Sequence, residues 1–199
     1  MQHHSEASPK IAPLLTLALV LLLPGCTKAE LTCTLNPNIA DPDSQTSPIH
    51  DPSLIRANGR YYVYSSSNLG SFYESEDLRQ WRLAGQVFDA LPEWLLEQIP
   101  GANHIGAPDL SFYQGRYLYF YQSHLSNTCN AATGLASNAS LDSTDPAYAW
   151  VDHGLILRSA PHFEGVDIYC GNEQATFNAI DGHFFADVDE TPWFVFGST

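Results

Sequence analysis

The sequence predicts an all-β chain of four-stranded antiparallel units arranged as propeller blades. Three observations carry that prediction: a hairpin motif written three times, a Trp-x-x-x-Gly signature after two of the copies, and almost no helical periodicity. The first copy is HDPSLIRANGRYYVYSSS from His50, the second APDLSFYQGRYLYFYQSH from Ala107, and the looser third AIDGHFFADVDETPWFVFGS from Ala179. In each, an aspartate (Asp51, Asp109 or Asp181) precedes a short apolar stretch, a polar turn and an aromatic-rich stretch, with Gly59 and Gly115 in the first two turns.

Each of the first two hairpins is followed by material for two more strands. SFYESEDLRQWRLAG and QVF follow the first, AATGLASNASLDSTDPAYAWVDHG and LIL the second, so that Trp81 to Gly85 and Trp150 to Gly154 repeat the same signature. Two complete blades and the first hairpin of a third are expected. Between the first two units, LPEWLLEQIPG supplies one short helix, opened by Pro92 and closed by Pro100-Gly101, with Leu95, Leu96 and Ile99 expected to pack inward.

Ahead of the repeats, IAPLLTLALVLLLPGC has the length of a signal-peptide core rather than a membrane span, and Lys10 precedes it. Leu23-Pro24-Gly25-Cys26 resembles a bacterial lipoprotein box, with Cys26 as the lipidated residue; an ordinary cleaved signal is the alternative. The expected division is residues 1–26 as export signal, 27–48 as a polar tether rich in Pro, Asn, Asp, Ser and Thr, and 49–199 as the folded part. Export would place the protein in the cell envelope or outside the cell. Its oxidising compartment allows a disulfide, expected between Cys129 and Cys170 because both stand near the ends of loops; Cys33 would be left over. No Cys/His spacing supports zinc.

The 22 acidic and 8 basic residues give a formal charge of −14, which argues against a phosphate-binding surface and so against nucleic acid. Membrane contact would come only through the lipid. The sequence shows no cofactor motif, and His104, His124, His153, His162 and His183 lack metal-ligand spacing. In a propeller, equivalent starts of inner strands converge on the axis, so the three aspartates are expected to meet there as a carboxylate cluster able to divide acid and base roles. A turn-forming role alone does not predict an acid at one phase of successive repeats.

HDPSLI, GRYYVYSSS, SEDLRQW, APDL, TGLASNASLD, WVDHG, FNAID and WFVFGS, in this order from about His50 to Thr199, resemble glycoside hydrolase family 43, and most closely its endo-α-1,5-L-arabinanases. The resemblance implies a five-bladed propeller, of which this chain holds about two and a half blades. It also implies inverting hydrolysis of the arabinofuranose backbone of plant arabinan or arabino-oligosaccharides. Asp51 then matches the general base, and Asp181 the carboxylate that positions the general acid and adjusts its pKa. His50, Asp109, Asn178 and Ser198 are expected to bind substrate. The family often has a tryptophan just before APD, where this chain has Ile105-Gly106; an aromatic platform is therefore missing or supplied elsewhere. The family's acid is a glutamate in the blade after NAID, and Glu164, Glu173 and Glu190 stand in the wrong places to replace it. The chain thus reads as an N-terminal portion, inactive alone. No cofactor is expected in it, and calcium in a longer protein is implied by the resemblance only. Two alternatives stand beside this reading: another family 43 activity, such as an exo-arabinofuranosidase or β-xylosidase, and a non-catalytic carbohydrate-binding propeller.

Overall fold

A computed structural model describes residues 45–46, 49–159, 168–170, 173–175 and 177–197, with backbone alone for 168–170 and 173–175. The export signal with Cys26, most of the tether, Ser198 and the Cys170 side chain lie outside the described residues. Chain contacts divide the protein into residues 1–36 and 37–199, and all described residues belong to the second unit.

Strands β1 (Ser53–Ala57), β2 (Arg60–Tyr64), β3 (Ser71–Ser75) and β4 (Arg82–Gln86) form one antiparallel sheet in chain order. Asn58 (φ 49°) and Gly59 (φ 82°) make the two-residue turn between β1 and β2, both in the left-handed conformation that suits the twist of a hairpin. Helix α1 (Glu93–Gln98) comes next. A second sheet of β5 (Gly106–Tyr113), β6 (Arg116–His124), β7 (Ala131–Asn138) and β8 (Val151–Arg158) repeats the order, with Gln114 and Gly115 in the equivalent turn. Among the described residues two hairpins follow, β9 (Ile168–Cys170) with β10 (Glu173–Ala175), and β11 (His183–Ala186) with β12 (Pro192–Val195). The first of these was not foreseen, because its three-residue strands carry no alternating pattern of useful length.

Packing between the sheets follows from the period-two alternation of β6. Tyr119 and Tyr121 point toward the first sheet, where Tyr119 meets Tyr64 with ring centroids 5.4 Å apart and Tyr121 meets Phe88 at 4.8 Å. Phe120 points the other way, onto Phe184 (5.5 Å) and Phe194 (4.7 Å) of the third hairpin. An aromatic run such as RYLYFYQSH is therefore what a strand buried on both faces requires. Trp150 wedges between Tyr64 and Tyr119 at the junction of the two sheets.

Helix α1 closes the space beside this core. Leu95 and Ile99, four residues apart and so on one helical face, are fully buried, whereas Leu96 is 43% exposed, contrary to the expectation that it packs inward. A helix of six residues has only one face against the core, and Leu96 is turned about 100° from Leu95. Trp94 donates instead, its Nε1 reaching Asp152 Oδ2 at 3.0 Å, while Tyr121 Oη donates to Asp152 Oδ1 at 2.7 Å. Burial, then Asp152, push the Tyr121 phenol far above its usual range. Among the described residues no helix is long and apolar enough to cross a membrane.

Candidate active site

Three residues with positive φ stand at the start of the first strand of each unit: Asp51 (48°), Ala107 (33°) and Asp181 (53°). Their equivalence is fixed by bonds between neighbouring units. Ser53 Oγ, two residues past Asp51, accepts from Leu110 N at 2.9 Å, and Asp109 Oδ2, two past Ala107, accepts from Phe184 N at 3.0 Å. The motifs therefore align as Asp51-Pro-Ser-Leu, Ala107-Pro-Asp-Leu and Asp181-Gly-His-Phe. This corrects the expectation that Asp109 shares the phase of Asp51 and Asp181. Its sequence neighbourhood aligned by the acid, but the backbone aligns by the left-handed residue before the proline or glycine. Ala107 supplies no carboxylate there.

Asp109 sits 13% exposed in β5 and joins two units. Besides Phe184 N, its carboxylate accepts from Ser111 Oγ (3.2 Å) and faces His183 Nδ1 (2.9 Å).

The two acids at the strand starts are held differently. Asp51 Oδ2 accepts from Ser66 Oγ at 2.6 Å and lies 2.7 Å from Nδ1 of the exposed His50. Ser66 Oγ in turn accepts from Ala107 N at 2.9 Å, so its own proton is directed at Asp51. Oδ1 of Asp51 has no protein partner among the described residues, and the side chain is 40% exposed. In the next unit Gln122 takes the place of Ser66. Its amide is buried, Oε1 accepts from Asp181 N, and Nε2 donates to Asp181 Oδ1 at 3.4 Å. One rule serves both: a polar side chain closing the second strand of one unit grips the backbone N–H of the left-handed residue opening the next.

The segment around Asp181 is pinned further. Ala179 N donates to Ser159 Oγ (3.1 Å), Thr133 Oγ1 donates to Ala179 O (2.9 Å), and Gly197 N donates to Ile180 O (2.8 Å). Asn178, beside it, keeps a buried Oδ1 with no hydrogen-bond partner among the described residues. Ser66 and Gln122 escaped the sequence reading. The available signal was a polar residue ending an apolar strand at the same position in both copies.

Cys129 is disulfide-bonded, and the side chains of the other three cysteines, Cys170 among them, lie outside the described residues. Among the described residues no three of His, Cys, Asp and Glu gather in a group able to hold a metal ion.

A carboxylate clamped through one oxygen at the start of one unit, with a second acid at the equivalent strand start two units further on, is an arrangement that acid–base chemistry can use. The chain belongs to glycosyl hydrolases family 43, whose profile matches residues 46–199. It is 28% identical over 151 residues to the extracellular exo-α-(1→5)-L-arabinofuranosidase ArbA of Cellvibrio japonicus, covering 75% of this chain and 40% of that protein. It is equally 28% identical over 156 residues to the extracellular endo-α-(1→5)-L-arabinanase 1 of Bacillus subtilis, covering 75% and 43%. Among solved structures, the α-L-arabinanase of Cellvibrio cellulosa complexed with arabinohexaose superposes with a TM-score of 0.67 at 27% identity, over 75% of this chain and 44% of that one. The family 43 endo-arabinanase of Bacillus licheniformis does so at 0.65 and 32%, over 78% and 50%. The chain thus spans less than half the length of these curated relatives.

Proposed function

We propose that the protein bearing this chain hydrolyses α-1,5-linked arabinofuranose in arabinan or arabino-oligosaccharides, with inversion at the anomeric carbon. The observation that carries the reading is the state of Asp51: one oxygen is fixed by Ser66 and His50, while the other is free to take a proton from water. In this reading Asp181 positions the proton donor and keeps it protonated by its negative charge. The donor is a glutamate of a further blade, in the length of the relatives that this chain does not span. An inverting pair stands about 6.5–9.5 Å apart to admit the water. Five-bladed closure, and inactivity of residues 27–199 alone, are parts of the same proposal.

Asp51→Asn in the whole protein tests it. Removing a general base costs about 10²–10⁴-fold in turnover, and binding of arabino-oligosaccharide should survive. NMR of the first product should show the inverted anomer. Turnover within about tenfold of wild type, or a retained anomer, would overturn the assignment. Exo action is the second reading, since an exo-named and an endo-named relative are equally similar to the chain; the product length distribution separates the two. We also propose export with lipid on Cys26, in which case Cys26→Ser moves the protein from the membrane fraction to the soluble one.

A further inference from the structure

His104 lies on the segment between α1 and β5, half-buried, its ring edge-on to His124 with centroids 5.3 Å apart. Its Nδ1 stands 3.0 Å from Asn103 Oδ1. A carboxamide oxygen only accepts, so Nδ1 carries the hydrogen and Nε2 of the neutral ring presents a lone pair. Burial first, and His124 second, hold this imidazole below the ordinary histidine range, which keeps it neutral. Nε2 has no hydrogen-bond partner among the described residues.

What Nε2 faces is decided by Gly106. A Cβ built on that residue would stand 3.6 Å from His104 Nε2, 3.5 Å from its Cδ2 and 3.7 Å from Ser66 Oγ. The bare α-carbon of Gly106 therefore leaves about a methyl's width between the imidazole and the serine that grips Asp51 at 2.6 Å. An unpartnered neutral lone pair close to the serine that grips Asp51 matches an uncharged polyol, one of whose hydroxyls can donate to it.

We propose that His104 is a sugar-binding residue near the Ser66–Asp51 pair, with Nε2 accepting a hydrogen bond from a hydroxyl of the arabino-oligosaccharide and Gly106 leaving room for that hydroxyl. The proposal rests on the glycosidase reading of Asp51. It makes His104 a determinant of affinity and not of the chemical step.

In the whole protein, His104→Ala and His104→Phe should raise KM for arabinotriose about three- to tenfold, the size of one neutral hydrogen bond, and leave kcat within about twofold. His104→Gln, which can restore an acceptor, should recover part of the loss. Gly106→Ala leaves the imidazole in place but sets a methyl against Nε2; it should raise KM as well, and less than additively with His104→Ala. The direct readout is the imidazole NMR signal of His104 during titration of arabinotriose into Asp51→Asn protein, where a saturable shift is expected. An unchanged KM in both His104→Ala and Gly106→Ala, or an unmoved His104 signal while the sugar binds, would overturn the proposal. A wild-type protein without hydrolytic activity would sink the glycosidase reading alone, and the His104 signal would still decide this one.

Discussion

Replacing Gln122 by methionine, which has nearly its shape, removes both bonds that the buried amide makes to Asp181. The bond to the backbone N–H contributes about 1 kcal/mol net, and a donor left without a partner raises the cost by about 1–3 kcal/mol. The bond to Oδ1, at 3.4 Å, adds little. Methionine recovers some of this by packing as an apolar group in the same space, so a loss near 2 kcal/mol is expected. The effect on function should be larger. Asp181 holds a left-handed conformation at φ 53°, which costs an L-residue about 1–2 kcal/mol, and Gln122 is a principal restraint on it. Once released, Asp181 can relax and carry its carboxylate away from the place the proposal gives it beside the proton donor. Urea unfolding should show a lower midpoint with unchanged m, and kinetics on linear arabinan a kcat reduced at least about tenfold with little change in KM. Gln122→Glu separates the two effects. It keeps an acceptor for Asp181 N but turns a carboxylate oxygen toward Asp181 Oδ1, so stability should recover more than turnover does. Gln122→Met with stability within about 0.5 kcal/mol of wild type and normal kcat would refute the claim that this side chain sets Asp181.

Asp109→Ala should destabilise by about 2–3 kcal/mol in urea unfolding, because it strips an acceptor from Phe184 N across the junction of two units, while Asp109→Asn, which keeps one acceptor oxygen, should lose about half as much. Peptide mapping of exported protein should find Cys129 joined to Cys170, and replacing both with alanine should cost about 2–4 kcal/mol. His104 is held below the ordinary histidine range by burial and by His124, so as pH falls below about 6.5 the unfolded chain takes a proton that the folded chain refuses, and stability falls with pH until the folded group also titrates. His104→Gln should flatten that part of the stability curve in urea titrations from about pH 7.5 to about pH 5.

The sheets were legible in the sequence because their signals are local. Asn58-Gly59 and Gln114-Gly115 mark turns with their own residues, and the aromatic runs of β2 and β6 announce strands buried on both faces. The candidate site was legible only where an acid and the left-handed backbone position coincide, at Asp51 and Asp181. In the second unit they separate. The left-handed position belongs to Ala107, which has no chemistry, and the acid two residues on belongs to the joint between units, so alignment by residue type chose the wrong one. Ser66, Gln122 and His104 were hidden for a related reason. Each gains its role from a bond or a gap formed with a residue of another element, and a polar residue at a strand end looks alike whether it meets water or the next unit.

The inter-unit bonds also explain why the two acids should not be treated as independent. Ser66 reaches from the first unit to Ala107, β5 and β6 are joined at Gly106 and Gln122, and Gln122 reaches on to Asp181. Every step in that series is a hydrogen bond to backbone or a strand pair, stiffer than a contact between free side chains. The position of Asp181 relative to Asp51 is therefore set by the stacking of one unit on the next and not by the loop that carries either acid. A substitution that shifts β5 against β6 near Gly106 would move the second acid without touching it, whereas changes on the exposed face of β8 would leave it in place.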